Sequence, residues 1–161
     1  MTLHLSGEVN YAMLDNLVKA YNSLKEDEKL YIYLTSPEGG LVDVAEAIVD
    51  FINLDKETIA ITFYGEVFSS GMHIFLKTEC PKLILRDTRG MYHFSWQEMT
   101  ISEGGKPTGA YDMFSLKEMK RAKNETIAYL KTTKLLDKEI NAIKKGQDVY
   151  FSYARMLELI S

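Results

Sequence analysis

A chain of 161 residues, 46 % of them apolar, has the length of one domain and enough apolar residues for a sizeable core. Its net charge of −4 offers no basic balance for nucleic acid, and no apolar run approaches the roughly 18–20 residues of a membrane span. The lone Cys80 cannot close an internal disulfide and fits a reducing, cytoplasmic compartment, while the opening MTLHLSGEVN lacks the basic-then-apolar order of a signal peptide.

TLHLS alternates and stops at Gly7, which predicts a first strand. Asn10 is placed to cap a helix whose apolar stripe is Met13, Leu14, Leu17, Val18, Tyr21 and Leu24. LYIYLTS is a second strand, closed by the turn PEGG. A second helix follows, with Val44, Ala47, Ile48, Phe51 and Ile52 on one face. TIAITFY is a third strand and is expected to lead into a third helix from Ser69 to about Lys77. KLILRDT is a fourth strand, with GMYHFSW as its continuation. ISEGGKPTGA reads as loop, followed by a long helix from about Tyr111 to Lys131 and a short one near Asp137–Lys145. DVYFS is a last small strand and ARMLELI a terminal helix. Strands alternating with helices argue an α/β fold around a parallel sheet.

In such sheets, sites gather at the carboxyl ends of the strands. SPEGG follows strand two, Ser69 strand three and His93 the fourth extended stretch, so the three are expected on one sheet edge. Together they suit acyl transfer. Histidine can take the proton that makes a serine hydroxyl nucleophilic. Backbone N–H groups can hold the oxyanion that follows, and Gly39-Gly40 can present one because glycine allows close approach. The residue after the serine, at the positive end of a helix, can present another. Each residue also has a structural reading. Ser69 is a residue type that caps helices, His93 could be a packed core histidine, and Gly39-Gly40 is a turn in any case. His73, in GMHIFL, reads as a packed helix residue, Cys80 as structural, and His4 has no special context.

These segments resemble the proteolytic subunit of the Clp protease, a self-compartmentalised serine peptidase with the ClpP/crotonase fold. LYIYLTSPEGGLVDVAEAIVDFI is similar to that family's strand, glycine turn and helix; YGEVFSSGMHIFL to its nucleophile segment; RGMYHFS to its histidine segment; and LHLSGEVN to the start of its globular body. The resemblance runs from Leu3 to about Leu159 and implies a single domain over 1–161, with a handle-type loop and helix at about 96–134. It implies Ser69 as nucleophile, His93 as general base, and the N–H groups of Gly40 and Ser70 as the oxyanion hole. It implies no cofactor and no metal, a peptide or unfolded-protein substrate, and a homo-oligomeric ring. The handle helix, with Met113, Phe114, Leu116 and Met119, would serve as an interface. Any ATP would be used by a separate AAA+ unfoldase, and the lack of a counterpart to the family's axial N-terminal segment weighs against that partner.

The sequence also departs from the family pattern. SPEGG carries one extra residue, Glu38; the proline after the histidine segment is missing; and the loop at 96–109 is longer. The C-terminus stops without the family's closing strand. The position of the catalytic aspartate falls on Lys144, so the nearest carboxylate, Asp148, is the candidate acid and a Ser–His dyad its alternative. Two further readings stay open: a ring subunit that assembles without cleaving, and a crotonase-like acyl-CoA enzyme, which would not require the Ser69–His93 pair.

Overall fold

The computed structural model describes residues 1–94 and 110–161, and of residues 110–117 and 119 it describes the backbone alone. The predicted loop at 96–109 lies outside the described residues, as do the side chains of Met113, Phe114, Leu116 and Met119. Two compact units form: Met1–Tyr92 with Asp148–Ser161, and His93–Gln147.

The first unit is built on a parallel sheet of β1 (Thr2–Ser6), β2 (Leu30–Thr35), β3 (Ile59–Tyr64) and β5 (Lys82–Ile84), in the order β1-β2-β3-β5. Between the first strands run α1 (Tyr11–Asn22) and α2 (Val42–Leu54). Asn10 caps α1 as expected, its side chain accepting the Met13 N–H at 3.1 Å. Met13 and Leu17 carry the buried stripe of α1, and Val44, Ala45, Ile48, Val49 and Ile52 that of α2. The strands bury alternate residues: Leu5, then Leu30, Ile32 and Leu34, then Ile59, Ile61 and Phe63, then Ile84. Phe75 of α3 (Ser70–Lys77) meets Phe63 edge-to-face on that side. The other face shows Tyr31, Tyr33, Tyr64 and Leu83 exposed, although parallel sheets are usually covered on both sides.

Two sequence expectations need correction. Strand three does not lead straight into a helix. Gly65, at φ +81, turns the chain out of the sheet, and β4 (Glu66–Phe68) comes before α3. A side chain at residue 65 would collide with Ser36, so this turn requires glycine. Nor does the fourth strand continue into the histidine segment. Asp87, at φ +68, breaks it, and β6 (Arg89–Tyr92) joins a second sheet. That sheet runs β4-β6-β7, where β7 is Val149–Phe151; β4 and β6 are parallel, β6 and β7 antiparallel. The terminal helix α6 (Tyr153–Ile160) is capped by Ser152, which accepts the Arg155 N–H at 3.3 Å.

In the second unit, α4 (Ala110–Leu130) packs with α5 (Asp137–Lys144). Ile127, Leu130, Leu135, Ile140 and Ile143 are buried there. The Glu139 carboxylate accepts the Leu136 N–H at 2.7 Å and fixes the start of α5.

Candidate active site

Ser69 stands at the junction of β4 and α3 with φ +51 and ψ −115, a backbone shape that side chains rarely tolerate. It occupies the cap position of α3, but its side chain makes no capping bond. Its backbone does the structural work: the N–H donates to Met91 of β6 at 2.8 Å, and the carbonyl accepts the His73 N–H at 3.0 Å. Ser69 thus stands at a sharp strand-to-helix turn, the kind of elbow on which α/β-hydrolases carry a nucleophile.

The SPEGG turn packs against this elbow. The Pro37 carbonyl accepts the Phe68 N–H at 2.9 Å, one residue before Ser69. Gly71 is required here, because a Cβ at residue 71 would meet Pro37 at both its carbonyl and its ring. Gly39 lies against Ser69 itself: a Cβ there would stand 3.0 Å from Ser69 Cβ and 3.5 Å from Ser69 Oγ. Glu38, the extra residue, is exposed. So the glycine turn and Ser69 come together, as the sequence reading expected.

Gly40, at φ +135, forms a parallel bridge with Val9. The Val9 N–H donates to the Gly39 carbonyl at 2.6 Å, and the Leu41 N–H donates to the Val9 carbonyl at 2.9 Å. Gly40's own N–H takes no part in this bridge. In a trans peptide the N–H points opposite to the carbonyl, so the Gly40 N–H points away from Val9. Ser70 is the first residue of α3, where N–H groups lack intrahelical partners. Its side chain is buried and donates to the Gly40 carbonyl at 2.9 Å. Val9 and this hydroxyl are parts of the site that the sequence reading missed. No local pattern announces either, because each acts on a residue 30 or more positions away.

His93 directly follows β6 and is half-buried; it opens the second unit. Asp148 directly precedes β7 and is exposed. The register between those two strands ends with Tyr92 opposite Val149. Lys144 is the exposed last residue of α5. The three chemical segments thus follow β2, β4 and β6, in two sheets rather than on one edge.

His73 is buried, as expected for a packed helix residue. Its Nδ1 lies 3.5 Å from Tyr92 Oη and its Nε2 3.0 Å from Glu46 Oε1, off the line of a hydrogen bond. Lys77 Nζ reaches the same carboxylate oxygen at 2.5 Å. The His73 imidazole and then Lys77 hold the Glu46 carboxyl down at about 2. Burial pushes the Cys80 thiol up to about 11, so it stays protonated and is no nucleophile near neutral pH. Among the described residues no group of three or more His, Cys, Asp or Glu is placed to hold a metal ion, and no helix is long and apolar enough to cross a membrane. A groove lined by Tyr21, Lys25, Asp55 and Thr58 sits at the amino ends of β2 and β3, away from Ser69.

Comparison with known proteins bears on this geometry. No curated protein matches the sequence. Two solved structures from Listeria monocytogenes, ClpP1 and its N165D mutant, share the fold. The mutant is 22 % identical with a TM-score of 0.73, and ClpP1 is 21 % identical with a TM-score of 0.72. Each comparison covers 98 % of this chain and 86 % of the other. The Clp protease family model matches residues 1–147, nearly the whole sequence. The chain belongs to the Clp protease family and is a serine-type peptidase of the ClpP kind.

Proposed function

We propose that the chain cleaves peptide bonds with Ser69 as nucleophile and His93 as general base. The observation that carries this reading is the strained Ser69, held at a strand-to-helix elbow with the Gly39-Gly40 turn against its side chain. Ser69 Oγ attacks the scissile carbonyl while His93 takes its proton. The Gly40 and Ser70 N–H groups receive the oxyanion. His93 returns the proton to the leaving amine, and water, activated by the same histidine, resolves the acyl-enzyme.

Asp148 is the acid of this reading. It precedes β7 as His93 follows β6, and those strands are paired up to the neighbouring residues. Residues 1–161 act as one ClpP-like domain, in the cytoplasm, on peptides or unfolded protein. The working form is a homo-oligomer, a reading supported by the sheet face on which, among the described residues, Tyr31, Tyr33, Tyr64 and Leu83 are exposed.

Hydrolysis of a fluorogenic peptide by the assembled wild-type protein and three variants tests the assignment. Ser69→Ala should remove activity. His93→Ala should lower kcat on the order of 10²–10⁴-fold, the usual contribution of a general base. Asp148→Asn should lower it by up to about 10⁴-fold with folding intact, as in the triad template. An active Ser69→Ala protein overturns the nucleophile. An unchanged Asp148→Asn rate overturns the triad and leaves a Ser–His dyad.

A further inference from the structure

The chemistry above asks only a backbone N–H of Ser70, yet its hydroxyl is buried and bonded. At 3 % exposure it donates to the Gly40 carbonyl at 2.9 Å. This bond completes a frame around Gly40. The peptide before Gly40 is held through the Gly39 carbonyl by the Val9 N–H. The peptide after it is held at both ends, by Leu41 N–H to Val9 and by the Ser70 hydroxyl to Gly40. Glycine at φ +135 resists rotation of its peptides less than any other residue, so these bonds must set its orientation. The bond also ties one candidate oxyanion donor to the other. The residue that presents the second N–H grips the peptide group adjoining the first.

We propose that Ser70 is a positioning residue whose hydroxyl holds the Gly40 peptide so that the Gly40 and Ser70 N–H groups converge on one oxyanion. This rests on the peptidase reading. An oxyanion hole stabilises the transition state more than the bound substrate, so a loosened donor should act on kcat rather than on KM.

The test compares the assembled wild-type protein with Ser70→Ala and Ser70→Cys in peptide hydrolysis, thermal melting and amide hydrogen exchange of the segment 38–41. Loss of a single restraining hydrogen bond should lower kcat about tenfold, with KM within about twofold. Exchange in the segment should quicken, and the melting temperature should fall by no more than about 5 °C. Ser70→Cys fills the space but offers only a weak donor, so it should be nearly as slow as Ser70→Ala. Wild-type behaviour of Ser70→Cys would make packing the cause and overturn the proposal. So would unchanged kinetics and exchange in Ser70→Ala, and in that case an inactive Ser69→Ala variant would leave the peptidase reading standing. A Ser70→Ala protein that melts early, with KM and kcat both altered, would reduce the hydroxyl to a purely structural role. A wild-type protein without hydrolysis would overturn the peptidase reading and this role with it. If Ser70→Ala does not fold, Ser70→Cys alone decides between the bond and the packing.

Discussion

Ser69 holds a backbone shape that costs a residue with a side chain on the order of 1–3 kcal/mol. Strain of that size persists only where neighbours impose it, and here they are identifiable: the β6 bond to its N–H, the helix bond to its carbonyl, and the proline-glycine turn beside it. Gly71 is the point where the two segments interlock. Substitution by Gly71→Ala would drive a methyl into the Pro37 carbonyl and a rigid ring, neither of which can swing aside. We expect a loss of about 1–3 kcal/mol, the usual cost of overpacking, together with loss of activity as the turn shifts. Urea denaturation monitored by circular dichroism checks this, and an unchanged midpoint would mean that turn and elbow are not in contact. At this scale the junction at Ser69 and the Gly39-Gly40 turn were legible, because a small, punctuated motif after a β-branched run is a local signal, while the choice of Ser69 over Ser70 came from the family resemblance. The roles of Val9 and the Ser70 hydroxyl were not, because they depend on which distant peptide groups arrive beside them.

Among the elements, hydrophobic alternation identified β1 to β3, and helical spacing found α1 and α2, although only Met13 and Leu17 of the α1 stripe are buried and Ala45 and Val49 of α2 are buried where Ala47 and Phe51 were expected. The sequence reading erred where one residue redirects the chain. Gly65 and Asp87, both at positive φ, send short strands into a second sheet. Three- and four-residue strands such as β4 and β6 are too short for a period to be visible. The α2–α3 contact brings a testable pH dependence. Glu46 of α2 receives His73 and Lys77 of α3, and its carboxyl is held at about 2 against an ordinary 4.5. A folded-state value below the unfolded one gives stability that is fully present above about pH 4.5 and is lost as pH falls toward about 2. Because the side chain is 41 % exposed, solvent screening reduces the size of the effect. Glu46→Gln should therefore be less stable near neutrality and lose less on acidification between those values. Parallel denaturation curves for both proteins across that range would show that the cluster contributes nothing.

For the whole molecule, the question is what covers the exposed sheet face. Tyr31 and Leu83 are 50 % and 57 % exposed on a parallel sheet, the kind that normally carries a layer on each side. A peptidase with an accessible serine is also safer when copies enclose it. Size-exclusion chromatography with light scattering should give a mass several times the 18.4 kDa of one chain at micromolar concentration. A monomer there would remove assembly from the account. The family and its fold were legible from the sequence because the motifs follow one another in order along most of the chain. The proposed acid, Asp148, had no motif of its own, since Lys144 stands where the resemblance expects an aspartate and Asp148 comes four residues later, beyond the turn at Gly146.

The central claim is that Ser69 is a nucleophile. A fluorophosphonate forms a bond only with a serine that is both aimed and activated, so peptide mapping of the labelled protein tests that claim most directly. The modification should fall on Ser69, be absent from Ser69→Ala, and slow sharply in His93→Ala. Label on Ser70, or a folded wild-type protein that takes up none, would contradict it.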